Sequence, residues 1–162
     1  MHRNLRPTVL LLGLIACQSA PLEEARASQS PGTMYSPEFW THWSDGQAEL
    51  AGYTIETSRY GEKRSGHIVT IFVTETLGHT SRVKTNQPQD ADHYPVMKLN
   101  LIKDFQTGIY DYNTMLSAFV TLQANDHLPI GHITKVSFSS QEWCGHVYHQ
   151  LLFNRGKIHE TS

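Results

Sequence analysis

The sequence predicts a mainly β domain: an antiparallel β meander forming an open or closed barrel, with a short Trp-rich helix at its N-terminal end. Three observations lead there. From Ala48 onward the chain is rich in Thr, Val, Ile, Tyr and Phe. Apolar residues in the clearest runs recur at every second position, the period of a strand with one buried face. The connections between successive runs are short, which forces antiparallel pairing. A β-sandwich is the alternative, because a second sheet also covers strands that have one apolar face.

Taken in order, the chain opens with a basic segment, His2-Arg3-Asn4-Leu5-Arg6, followed by the apolar run Val9-Leu10-Leu11-Leu12-Gly13-Leu14-Ile15. The run is too short for a bilayer span, which needs roughly 20 apolar residues, so residues 1–16 read as a signal peptide. Leu14-Ile15-Ala16-Cys17 resembles the lipobox of bacterial lipoproteins. That resemblance implies acylation of Cys17, export to the cell envelope and membrane attachment, each buried methylene contributing about 0.8 kcal/mol. Gln18 after the Cys, in place of Asp, implies the outer membrane, facing the periplasm, in a two-membraned bacterium. Ordinary secretion with cleavage after Ala25-Arg26-Ala27 is the competing reading. Residues 17–35 carry Pro21, Pro31, several Ser and Ala and no sustained apolar period, and read as a lipid-anchored flexible tether.

Residues 36–162 form a single β-rich domain. Ser36 caps a helix whose first turn holds Pro37, and Phe39, Trp40 and Trp43 lie on one side of it. A first strand runs from Glu49 to Arg59 and turns over Tyr60–Gly66. A second spans His67 to Thr76, with Val69, Ile71 and Val73 on one face, and Thr85 to Tyr94 is a loop. In the third, Met97, Leu99, Leu101 and Phe105 alternate with polar residues while Lys103 falls on the apolar side. After a turn near Gln106-Thr107-Gly108, a fourth runs from Ile109 to Leu122, placing Tyr110, Tyr112, Leu116, Ala118, Val120 and Leu122 together. A last extended stretch starts near His132, and the chain stops soon after Gly156 without an evident final element, which suggests an unpaired edge or a C-terminal truncation.

Charge and cysteine content exclude some functions. The chain has 13 Lys and Arg against 15 Asp and Glu; loss of Arg3 and Arg6 with the signal leaves 11 against 15, a net charge of −4. With no basic patch to displace counterions from phosphates, nucleic acid is not the expected partner. Only Cys17 and Cys144 are present, so acylation of the first leaves the second as a lone thiol, and the domain folds on its apolar core without a disulfide.

The densest chemistry lies in Ser137–His149. Read as one strand, this segment puts Glu142, Cys144, His146 and Tyr148 on one face. Three readings stay open. Cys144 is a nucleophile with His146 as base and Glu142 as orienter. Alternatively, Cys144, His146 and His149 hold zinc or copper, with His132 or Glu142 as a fourth ligand. Otherwise Cys144 is a small packed residue, Gly145 a bulge, and the histidines are ordinary strand positions. No cofactor is predicted beyond that metal alternative. A second dense segment, Asp104–Asn113, offers Tyr110, Asp111 and Tyr112 as lining for a polar head group or sugar; otherwise Gly108 supplies a turn, the tyrosines pack with their hydroxyls at the rim and the Asp residues face water. Asp104 and Asp111 would form an acid/base pair only at suitable separation. The chain has no GxSxG elbow, no HExxH and no phosphate-cradling glycine loop.

The segments Glu49–Tyr53, Arg59–Glu62, Ile71–Glu75, Lys98–Asn100, Asp104–Tyr112 and Ser139–His146 together resemble a family of uncharacterised exported bacterial proteins, some labelled septum-formation inhibitor. The likeness covers about residues 38–150, and members commonly extend further at the C-terminus. The family has no established activity, so the resemblance implies no catalytic residue. The expected function is a non-enzymatic envelope lipoprotein that binds an amphiphilic ligand or an envelope partner. The alternatives are an envelope enzyme or metal-binding protein using Cys144 and His146, and a structural role in envelope organisation.

Overall fold

The computed structural model describes residues 34–85 and 92–162. The predicted signal peptide, Cys17 and most of the tether lie outside the described residues. The last tether residue lies inside them and is packed: Tyr35 stacks on Phe39 with ring centroids 4.4 Å apart. Helix α1, Pro37–Trp43, forms as its sequence dictates, with Ser36 accepting a hydrogen bond from the Phe39 N–H at 3.3 Å and Pro37 in the first turn. Thr74 Oγ1 donates to the Trp43 carbonyl, joining the end of the helix to the sheet. No described helix is long and apolar enough to cross a membrane.

Seven strands follow: β1 Glu49–Arg59, β2 Glu62–Gly78, β3 His93–Thr107, β4 Tyr110–Thr121, β5 Ile133–Glu142, β6 Gly145–Asn154 and β7 Lys157–Thr161. They form one antiparallel meander in sequence order, with β1 and β7 at opposite edges, so the sheet is open. The fold class agrees with the sequence reading; several boundaries do not. The first turn is only Tyr60–Gly61, and β2 begins at Glu62 because both turn residues take positive φ, 55° and 78°, which lets two residues reverse the chain. The stretch from His132 onward is not one strand. It breaks at Trp143-Cys144 into the β5–β6 hairpin, and β7 supplies the final element that the sequence left unseen.

The register assigns each side chain to a face. One face carries Tyr53, Ile55, Ile68, Phe72, Leu99, Leu101, Phe105, Leu116, Ala118, Val136, Phe138 and Leu151, and is the apolar face. Lys103 sits on it as predicted, its ammonium 5.1 Å from the centre of the Phe105 ring and donating to Thr57 Oγ1 at 3.0 Å. The opposite, more polar face carries His67, Lys98, Asn100, Asp104, Ser117, Lys135 and Gln150, together with Ile102 and the predicted row Val69, Ile71 and Val73.

The buried core is not in the middle of the apolar face. Leu77, Tyr94, Val96 and Phe119 cluster at one end of the polar face, where Arg82 is buried and hydrogen-bonds to the carbonyls of His79, Thr134 and Phe153 and to Asn154 Oδ1. This corrects the reading of β4. Tyr110 to Val120 do share the apolar face, but Ser117, Phe119 and Thr121, on the other side, are buried there.

The same registers set the positions of the hairpin turns. From the cross-strand row Gly66, Phe105 and Tyr112, β2 runs four residues further to Glu62 and β3 two further to Thr107. β5 ends at Glu142, one residue past Gln141, the partner of Asn113, and so level with the row. Each turn is therefore set back by about two residues, roughly 7 Å, over a two-strand spacing of roughly 10 Å. The three turns therefore lie on one line, inclined by roughly 35° to the cross-strand row, and form one rim of the open sheet.

Candidate functional site

The predicted Cys144 constellation is not assembled. Trp143 and Cys144 are the two turn residues of the β5–β6 hairpin, and Cys144 is exposed. Glu142 faces Gly145 across the hairpin on the apolar face, whereas His146 faces Gln141 on the other. The break in the strand is the physical cause, since it removes the alternation that would have aligned the three. The proposed ligand set is dispersed too. His149 shares the face of Phe138 and its Nε2 lies 2.7 Å from Glu160 Oε1, while His132 is at the far end of the sheet in the loop before β5. Among the described residues, no group of three or more His, Cys, Asp or Glu is placed to hold a metal ion.

What the fold does bring together is an aromatic cluster around Tyr112, at the end of the apolar face below the three turns. Phe105 and Tyr112 are cross-strand partners with parallel rings, 4.9 Å between centroids and 2° between planes. Tyr110 packs against Tyr112 at 5.5 Å and stacks on Trp143 at 5.6 Å. From the first hairpin, the Tyr60 hydroxyl lies 2.7 Å from that of Tyr112. Arg59 donates to the Tyr112 oxygen at 3.2 Å, its guanidinium carbon 4.8 Å and 4.9 Å from the centres of the Tyr60 and Tyr112 rings. Three hairpins distant in sequence thus build one site. Gly66 makes the room for it, because a Cβ there would lie 2.7 Å from Phe105 Cβ.

The cluster is electrostatically asymmetric. The hydrogen bond shared with Tyr60, burial, and the nearby Glu142 carboxylate push the Tyr112 hydroxyl well above the usual phenol range. The same hydrogen bond, with Tyr112 as partner, lowers Tyr60. Tyr112 is therefore a fixed neutral hydroxyl beside a guanidinium and a carboxylate.

Two of the three predicted binding residues, Tyr110 and Tyr112, belong to this cluster. Asp111 does not; it points to the polar face, where with Asp104, Asn113 and His67 it lines a cleft of about 450 Å³. His67 Nδ1 and Asp104 Oδ2 are 3.4 Å apart there. Arg59, Tyr60 and Trp143 were missed. The signal for Tyr60 was available: an aromatic residue followed by Gly in a turn position that Asn or Gly usually fills.

At the opposite end of the apolar face, a cleft of about 750 Å³ opens beside the β6–β7 turn, lined by Leu128, Ile133, Phe153 and Ile158 among others. Its volume is that of a small-molecule pocket. The apolar face thus runs from a polar-tipped aromatic cluster to an apolar cleft. No protein-family model, curated protein or solved structure matches this chain.

Proposed function

We propose that this chain is an exported binding module, tethered to the envelope membrane through Cys17, that holds an amphiphilic ligand on the apolar face of its sheet. One observation carries this reading: on the apolar face the cross-strand row Phe72, Leu99, Ala118, Val136 and Leu151 runs unbroken from β2 to β6, its side chains half-buried and Phe72 38% exposed. Apolar surface of that extent marks an interaction site. The cleft at Phe153 and Ile158 suits an acyl or other apolar chain, and Arg59 with the Tyr112 hydroxyl suits an anionic or hydroxylated head. The tether would keep the module beside a source of such ligands.

The test is extraction of the full-length protein purified from membranes, followed by mass spectrometry of the organic phase and displacement of a fluorescent fatty acid. The expected result is a co-purified amphiphile and saturable probe binding. Phe72→Glu should weaken the probe at least about tenfold, near 1.4 kcal/mol, because a charge would then stand on the face. Met115→Glu, at a 41% exposed position on the other face, should leave binding unchanged. An empty protein that fails to bind the probe would sink the reading.

A further inference from the structure

The three turns at the rim carry large apolar side chains that stay mostly exposed, although Tyr60 and Trp143 also touch the aromatic cluster with one edge. Tyr60 is 66% exposed, Ile109 78% and Trp143 70%. They come from separate hairpins, yet the register places all three turns on one line. Tyr60 also occupies a backbone position that disfavours it: its φ is 55°, in the left-handed region where Gly or Asn is ordinarily found. A bulky ring kept exposed at a strained turn position breaks the local rule, and such breaks concentrate at functional positions.

We infer that this rim is a bilayer-docking edge, with Tyr60, Ile109 and Trp143 entering the boundary between phospholipid head groups and acyl chains and Arg59 standing level with the phosphates. The side-chain chemistry fits that medium. Tyr and Trp each present an apolar body and a polar handle, the combination enriched at membrane interfaces. Arg59 is held at the same edge by its contacts with Tyr60 and Tyr112. The shape favours a lipid surface over a protein. The row is roughly 24 Å long and one side chain wide, and three such side chains offer roughly 500 Å², below the roughly 800 Å² per partner of a stable protein interface.

This rests on the tethered-module reading for its setting. The 18 residues between Cys17 and Ser36 span roughly 60 Å when extended, against about 35 Å for β1, so the rim can turn back to the membrane that holds Cys17. A docked rim would put the apolar face in register with the bilayer, giving an amphiphile a path onto the sheet.

The experiment uses the full chain carrying Cys17→Ser, which removes acylation, and Trp40→Phe/Trp43→Phe, which leaves Trp143 as the sole indole. Vesicles of phosphatidylethanolamine and phosphatidylglycerol are made with lipids brominated near the head group. The expected result is a blue shift of Trp143 emission and its quenching by the brominated lipid. Tyr60→Asn/Ile109→Ser should lower the partition coefficient at least tenfold with an unchanged circular dichroism spectrum; Tyr60→Phe/Ile109→Leu should retain it. Vesicle binding without quenching of Trp143 would mean that another segment, such as the apolar run 9–15, makes the contact, and would overturn the inference. So would no binding, or Trp143 photocrosslinking to an envelope protein. Ligand extraction is a separate readout, so a rim that fails to dock and an apolar face that binds nothing are told apart.

Discussion

Tyr60 and Tyr112 share a hydrogen bond of 2.7 Å but respond to pH in opposite senses. Tyr60 is lowered, chiefly by that bond, and Tyr112 is raised, so alkaline titration removes the Tyr60 proton first. The depressed Tyr60 contributes stability that is present above the ordinary phenol value and lost as pH falls through its own; for the raised Tyr112 the stability is present below the ordinary value and lost as pH rises. Phenolate absorbance at alkaline pH checks this. Tyr60→Phe should delete an early-titrating phenol, and Tyr112→Phe should return Tyr60 towards the ordinary range. At this scale the sequence was legible where a residue's own chemistry decides: Ser36 as a cap, Pro37 in the first turn, Lys103 lying along an apolar face. It was not legible for Cys144. Whether Glu142, Cys144 and His146 align depends on where the strand breaks, and nothing in those three residues sets that.

At the scale of elements, Gly66 shows how close packing between two strands limits substitution. It lies within β2 and not in the turn that the sequence suggested, and a Cβ there would meet the Asp104 carbonyl at 2.3 Å and Phe105 Cβ at 2.7 Å. Gly66→Ala should therefore push β3 away and destabilise the domain by about 1–3 kcal/mol, read as a lower urea midpoint at constant slope. It should also disturb the Phe105–Tyr112 stack, visible in near-ultraviolet circular dichroism. Strand identity followed well from period-2 alternation, as in β3, where Leu99, Leu101 and Phe105 announce the face. The β5–β6 break did not follow, because Trp143-Cys144 lacks the Asn-Gly or Asp-Gly chemistry that marks a tight hairpin.

For the molecule as a whole, the buried cluster of Leu77, Tyr94, Val96 and Phe119 is covered from segment 79–85, where His79 packs on Tyr94 and Arg82 lies over its ring, and from segment 122–132, where His127 packs against His79. His127 belongs to that cover. Burial lowers its pKa below the ordinary 6.5, helped by the Arg82 guanidinium and the neighbouring His79. Its contribution is complete above 6.5 and lost as pH falls through the lowered value. Urea midpoints measured from above 6.5 downward should drop, and His127→Asn should flatten that drop; an identical slope in the variant would exclude His127 as the source. By itself the sequence determined the class of fold, the helix and its cap, most strands and one apolar face, because these follow from local periodicity and backbone preference. Only the tertiary structure decided that the sheet stays open, that β4 buries its polar-side residues at one end, and that Arg59, Tyr60, Phe105, Tyr110, Tyr112 and Trp143 meet. Those outcomes depend on strand register and turn length, which sum over pairings between distant segments and leave no mark in any one of them.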